Sequence, residues 1–83
     1  MNYVYVLFCP RRKKLYKGFT KDLRKRLMQH RNSGYVYDKN LELIFYEAYA
    51  NEKDARERER FFKSGWGRNH IQKILKNYLD IKR

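Results

Sequence analysis

The sequence predicts an α+β domain, a small three-stranded antiparallel sheet flanked by helices in the order β-β-α-β-α-α. Residues 2–9, Asn-Tyr-Val-Tyr-Val-Leu-Phe-Cys, are nearly all β-branched or aromatic, which suits a short buried strand better than a helix. A basic turn follows, and the C-terminal third instead carries apolar residues at helical spacing.

The first strand alternates, which places Tyr3, Tyr5 and Leu7 on one face. Pro10 to Lys14 ends in four consecutive basic residues that cannot be core, so it reads as a turn. A second strand from Leu15-Tyr16 to Phe19 then completes a hairpin. Gly18 interrupts it, which marks a bulge or a close approach by another group. Thr20 is expected to cap a helix starting at Lys21, with Asp22 in the first turn, Leu23 and Leu27 turned inward, and Gly34 stopping the chain after Ser33. Leu41 to Ala50 lacks helical periodicity and reads as the third strand. Asn51 caps a second helix, with Asp54 at its third position, that runs to about Ser64. Gly65-Trp66-Gly67 is expected to break the chain, with Trp66 packing at a hinge. A last helix would then bury Ile71, Ile74, Leu75, Tyr78 and Leu79.

A chain of 83 residues is expected to form a single domain over residues 1–83, without repeats or linkers and without room for a second catalytic or targeting domain. The apolar run Tyr3 to Cys9 is far shorter than the roughly 20 residues that span a bilayer, and no cleavable signal precedes it. The expected location is the cytoplasm. Cys9 is the only cysteine, so an internal disulfide is excluded, and with two histidines it cannot form an ordinary structural zinc site. It reads as a small hydrophobe ending a strand.

Lys and Arg number 21 against nine Asp and Glu, a formal net charge of +12. Self-repulsion on that scale points to a polyanionic partner, because neutralised phosphates release condensed counterions. DNA is the expected partner, with RNA as an alternative; structural RNA binding, an anionic membrane surface and simple solubility are the other readings of charge alone. No segment reads as a basic amphipathic membrane helix.

Within the second helix, Glu59 lies four residues after Ala55 and three before Phe62, on the face expected to meet the core. A carboxylate there needs partners. It either forms ion pairs with Arg56 or with Lys63 at the i to i+4 spacing, or binds a divalent metal, since Mg²⁺ takes one carboxylate together with waters and substrate phosphate. Arg26 and His30 stand four residues apart at the edge of the first helix's apolar stripe. Arg26 could clamp a phosphate and stabilise developing charge, or be a solvated charge beside Arg24, Lys25 and Arg31. His30 is either a boundary histidine or a helper in proton transfer. Tyr5 and Tyr16 lie on adjacent strands, as packing partners or, beside positive neighbours that favour a phenolate, as a base.

These residues occur in the order and spacing of the GIY-YIG nucleases, and the resemblance covers essentially the entire chain. Tyr3-Val4-Tyr5 resembles the first tripeptide and Tyr16-Lys17-Gly18 the second. Thr20 to Leu27 is similar to the opening helix, whose arginine ten residues after the second motif's tyrosine is Arg26. Arg58 to Arg68 is similar to the acidic-helix segment of small stand-alone members, which are related to the nuclease domain of the excision-repair excinuclease C subunit. Tyr3 and Lys17 replace two motif residues that supply no catalytic side chain. Phe19 stands where some repair-type members place lysine, and the 34–40 connection is shorter than in small relatives.

The resemblance implies a metal-dependent endonuclease. Tyr16 would be the general base, alone or with His30, acting on a water that attacks a phosphorus held by Arg26. Tyr5 would orient the nucleophile or support Tyr16, and Glu59 would anchor one Mg²⁺ or Mn²⁺ ion. Lys17, Arg24, Lys25, Arg31, Lys63 and Arg68 would contact nucleic acid. The alternatives are a catalytically weak or inactive DNA- or RNA-binding module of the same fold, and a protein-interaction adaptor presenting Trp66, Tyr35 and Tyr37 as exposed anchors.

Overall fold

The computed structural model describes residues 1–32 and 38–82. Three strands, β1 (Asn2–Cys9), β2 (Lys14–Thr20) and β3 (Glu42–Tyr49), and four helices, α1 (Leu23–Asn32), α2 (Glu52–Lys63), α3 (Gly65–Ile74) and α4 (Lys76–Lys82), follow in the order β-β-α-β-α-α-α. The sheet is antiparallel with strand order β2-β1-β3, so β1 is central and β2 forms one edge. The α+β class and the strands therefore match the sequence expectation. Among the described residues no helix is long and apolar enough to cross a membrane.

The alternation along β1 serves two cores at once. Val4 and Val6 pack with Ala55 and Phe62 of α2 and Ile71 of α3. Tyr5, Leu7 and Cys9 pack on the other face with Leu41, Leu23 and Leu27. β1 is thus sandwiched between α1 and the α2–α3 layer, which explains why polar residues are nearly absent from it. The pairing of Tyr5 with Gly18 is regular, so Gly18 marks a close approach and not a bulge. The one register shift falls instead between Val6 and Leu7 against β3. In the β1–β2 turn Lys13 adopts φ 53°, a left-handed conformation that disfavours a side chain.

Four expectations about helices are corrected. Asp22, not Thr20, caps α1: its carboxylate accepts from Lys25 N at 3.1 Å, and its carbonyl accepts from Arg26 N at 3.0 Å. Thr20 Oγ1 instead accepts from Asp22 N and shapes the turn before the helix. Gly65-Trp66-Gly67 is the first turn of α3, and the break is confined to Ser64, which ends α2 and caps α3 by accepting from Gly67 N at 3.1 Å. The expected last helix is two, divided at Leu75, and Ile74 of the expected core stripe is 42% exposed. Asn51 caps α2 as expected, accepting from Lys53 N at 2.8 Å. The expected stop at Gly34 and the proposed anchors Tyr35 and Tyr37 lie outside the described residues.

Cys9 is buried at the end of β1, as expected, and also donates to Asp38 Oδ2 at 3.2 Å. A hydrogen bond from the Asn40 backbone, and then the one from Cys9, hold the Asp38 carboxyl below its ordinary pKa. Asp38 thereby fixes the chain's entry into Leu41 and β3.

The corner at Ser64 depends on Gly67. A β-carbon there would lie 1.8 Å from the Phe61 carbonyl oxygen and 2.6 Å from Phe62 Cα, both backbone atoms that cannot yield cheaply. Gly67→Ala is therefore expected to destabilise the fold by about 3 kcal/mol and lower Tm by roughly 10 °C or more. Gly65→Ala meets no atom within 4 Å, and as a helical substitution it should stabilise by roughly 0.5 kcal/mol. Thermal unfolding followed by circular dichroism checks the contrast, and equal Tm values for the two variants would contradict it.

Candidate functional site

Tyr5 occupies an interior slot of β1, only 4% exposed, and its ring lies over Gly18. Its hydroxyl points from the core toward α1, where it meets two side chains from successive helical turns. His30 Nε2 is 3.0 Å from the Tyr5 oxygen, and Arg26 Nε donates to that oxygen at 3.4 Å. The Arg26 guanidinium also donates to Gln29 Oε1 at 3.3 Å, which fixes the orientation of its fork. The i to i+4 spacing of Arg26 and His30 is what brings both to one hydroxyl.

Burial, and next the Arg26 charge, push the His30 pKa below its ordinary value of 6.5. His30 is therefore neutral at pH 7. With His30 neutral, the 3.0 Å contact is a hydrogen bond in which either the Tyr5 hydroxyl or the imidazole is the donor, according to the tautomer.

Tyr16 pairs with Leu7, two residues along β2 from Gly18, so it shares the Tyr5 face and stands diagonal to Tyr5. Arg12 Nη1 donates to its hydroxyl at 3.4 Å. Arg12 was missed in the sequence reading because it stood within a basic turn; the signal was its i to i+4 spacing from Tyr16 across the hairpin end. His30, expected as a helper of Tyr16, is bonded to Tyr5.

Glu59 stands apart from this cluster. It lies on α2, on the opposite face of the sheet, with its side chain 15% exposed at the core boundary instead of within the core. Both ion pairs weighed from the sequence are formed: Lys63 Nζ donates to Oε2 at 3.1 Å, and Arg56 lies 3.5 Å from Oε1. Arg56 also covers the Phe19 ring at 3.7 Å, which locates Glu59 on the β2 side of α2. Among the described residues no hydrogen bond joins Glu59 to Tyr5, Tyr16 or Arg26, and no three His, Cys, Asp or Glu side chains gather to hold a metal ion. One hard carboxylate nevertheless fits an ion that keeps several waters and takes substrate phosphate as a ligand, once Lys63 and Arg56 exchange for it.

The expected nucleic-acid contacts divide into groups. Arg24 and Lys25 are exposed on α1. Arg31 is used inside the fold, donating to the Leu41 carbonyl through Nε at 3.0 Å and Nη2 at 2.8 Å. Lys17 points to the face opposite Tyr16, where burial, then the Arg68 and Lys63 charges, lower its pKa from 10.5. Trp66, expected at a packed hinge, is 82% exposed.

A family model described as the GIY-YIG catalytic domain matches residues 1–73. A UPF0213 protein of Bacillus pumilus is 42% identical over 72 residues, covering 81% of this chain and 70% of its own. A UPF0213 protein of Clostridium perfringens is 37% identical over 67 residues, covering 76% and 71%. A third, encoded in the ldhD 5′ region of Pediococcus acidilactici, is 36% identical over 81 residues, covering 90% and 81%. No solved structure gives a significant match.

The lowered His30 pKa yields a measurable consequence. In the window between its folded value and 6.5 the unfolded chain binds more protons than the folded one, so His30 makes stability fall as pH drops through that window. Arg26→Met should raise the His30 pKa part of the way to 6.5, because burial, the larger cause, remains. Gly18→Ala, whose methyl would lie 2.3 Å from the Tyr5 oxygen, should displace the ring and perturb the same imidazole signals, at a cost of about 1–3 kcal/mol. Imidazole titration by NMR reads both, and an Arg26→Met protein with an unmoved His30 pKa would rule out the charge contact.

Proposed function

Because the chain belongs to the GIY-YIG catalytic domain family, we propose that it is a metal-dependent endonuclease hydrolysing DNA phosphodiester bonds. The observation that supports this best is the Tyr5, His30 and Arg26 cluster, bonded together on the face that also carries Tyr16 at the free edge of the sheet. Charge complementarity with a polyanion supports the substrate class.

In this reading the exposed Arg26 guanidinium binds the scissile phosphate and stabilises the charge that grows on it as water attacks. Tyr16 acts as the base in its phenolate form, its oxygen taking the proton of the attacking water and becoming the neutral hydroxyl, while the Arg12 guanidinium donates to that oxygen. Tyr5, anchored by neutral His30, positions Arg26 and the nucleophile. Glu59 would hold the Mg²⁺ or Mn²⁺ ion, whose chemistry when bound is Lewis-acid stabilisation of the leaving 3′ oxygen. Bond cleavage consumes one water and leaves a 5′ phosphate and a 3′ hydroxyl. In this reading the domain acts in the cytoplasm, with repair-type DNA as the substrate suggested by the resemblance to excision nucleases.

A second reading, a nucleic-acid-binding module with weak or no cleavage, is favoured by the cations already seated on both Glu59 oxygens. Cleavage of plasmid, single-stranded and branched DNA with Mg²⁺ or Mn²⁺ separates the two. The nuclease reading expects Tyr16→Phe to cut about 10²–10⁴-fold more slowly and Arg26→Ala about 10²–10³-fold more slowly, with Glu59→Ala losing metal-dependent cutting. The binding module expects intact, steeply salt-dependent binding in Glu59→Ala and no products from any variant. If pure protein cuts none of the substrates, or if Glu59→Ala cuts as fast as the parent, the nuclease reading fails.

A further inference from the structure

The corner between α2 and α3 carries an exposed aromatic and uncompensated charge that the site above does not use. Trp66, the only tryptophan, is 82% exposed. It projects from a rigid turn, because Ser64 caps α3 and Gly67 abuts the Phe61 carbonyl. A large exposed indole held in this way loses little conformational freedom on binding. Next to it stands Arg68, which lines a recess with Trp66 and Asn69 on one side and a second recess of about 350 Å³ with Lys13, Lys14 and Lys17 on the other.

Charge in this corner is crowded. Lys17 and Arg68 line one recess, and burial first, then the Arg68 and Lys63 charges, depress the Lys17 pKa. Among the described residues Lys17 and Arg68 pair with no carboxylate, and Lys63 pairs with Glu59 alone. Such mutual repulsion is relieved when an anion with several acceptor oxygens enters between the cations.

We propose that this corner binds an unpaired stretch of DNA, with a backbone phosphate among Lys17, Lys63 and Arg68 and the adjacent base stacked on Trp66. An indole can stack only on a base whose face is uncovered, which a continuous duplex does not offer. The inference deepens the nuclease reading by naming the form of its substrate, and it rests on that reading only for the link to cutting. Lys17 and Tyr16 are neighbours on edge strand β2 and face opposite sides of the sheet, so a strand held at the corner reaches the Tyr16 face by crossing the β2 edge.

Trp66 is its own reporter. The full chain is titrated at low salt with oligothymidylate and with a long, fully paired duplex, following tryptophan emission and the anisotropy of labelled DNA. The expected result is quenching by oligothymidylate and not by the duplex. Trp66→Ala should weaken single-strand binding about tenfold or more while leaving duplex binding unchanged. Lys17→Ala and Arg68→Ala should each weaken it and reduce the salt slope by about one ion. Oligothymidylate that binds without changing tryptophan emission overturns the proposal, as does a Trp66→Ala protein of parental single-strand affinity; Trp66 then serves another kind of partner. Quenching with no cleavage of any DNA sinks the nuclease reading and leaves this site standing. Cleavage with an unresponsive Trp66 does the reverse.

Discussion

The structure depends on β1 being buried on both faces in the middle of a three-stranded sheet. A chain this small has no apolar residues to spare, so one strand must supply two cores. Its alternate residues are divided, valines toward α2 and α3, and Tyr5, Leu7 and Cys9 toward α1. The candidate site follows from that division. A tyrosine in an interior slot contributes ring area to the core but brings a hydroxyl that needs partners. His30 and Arg26 provide them from α1, and Gly18 provides the space by having no side chain. The groups that could meet a phosphate are thus held by the same packing that holds the fold together.

Charge is arranged by a similar economy. The acidic residues are mostly spent on internal bonds. Glu47 accepts from Arg58 at 2.8 Å and 3.2 Å and from Tyr49 at 2.6 Å, joining β3 to α2. Burial, and next the bond to Glu47, push the Tyr49 hydroxyl up to about 12. Glu42 accepts from Tyr78 and Lys82, tying α4 to β3, and Glu52 pairs with Lys21. Among the described residues, most exposed charges outside such bonds are positive, on α1, in the β1–β2 turn and at the α2–α3 corner among other places.

The sheet, the hairpin, the Asn51 cap and the buried Cys9 were legible because each rests on a local pattern: alternation, turn composition, a capping side chain, apolar size. The misread features depend on what a pattern does not contain. Thr20 and Asp22 are both competent caps two residues apart, and only the path out of β2 decides between them. Gly65-Trp66-Gly67 resembles a breaker by composition, yet Gly67 is needed for contact with Phe61 and not for flexibility. Ile74 keeps the helical period but falls next to the division at Leu75, which turns it to solvent. In the candidate site, the spacing of Arg26 and His30 was readable, whereas their common target required the register that places Tyr5 opposite Gly18. Arg31 was counted among surface cations because nothing in its neighbours shows that the Leu41 carbonyl would face it.

Glu59 shows how a sequence anomaly can be resolved without deciding its role. Its ion pairs are both within α2, at i,i+3 and i,i+4, with the Lys63 and Arg56 side chains 55% and 47% exposed. Pairs of that kind contribute about 0.3–0.5 kcal/mol each, since water screens them and two flexible side chains lose freedom. A divalent ion held by Glu59 would bring twice the charge of a lysine to the carboxylate, so exchange would displace little stability. The ion pairs are a resting arrangement that explains why a boundary carboxylate is tolerated when its site is empty of substrate. Their presence is what favours the binding-module reading, and their small contribution is what leaves room for a metal. What bears on the choice is position: Glu59 and Tyr16 flank the β2 edge from opposite faces, so the two can share one phosphate only if the polyanion crosses that edge.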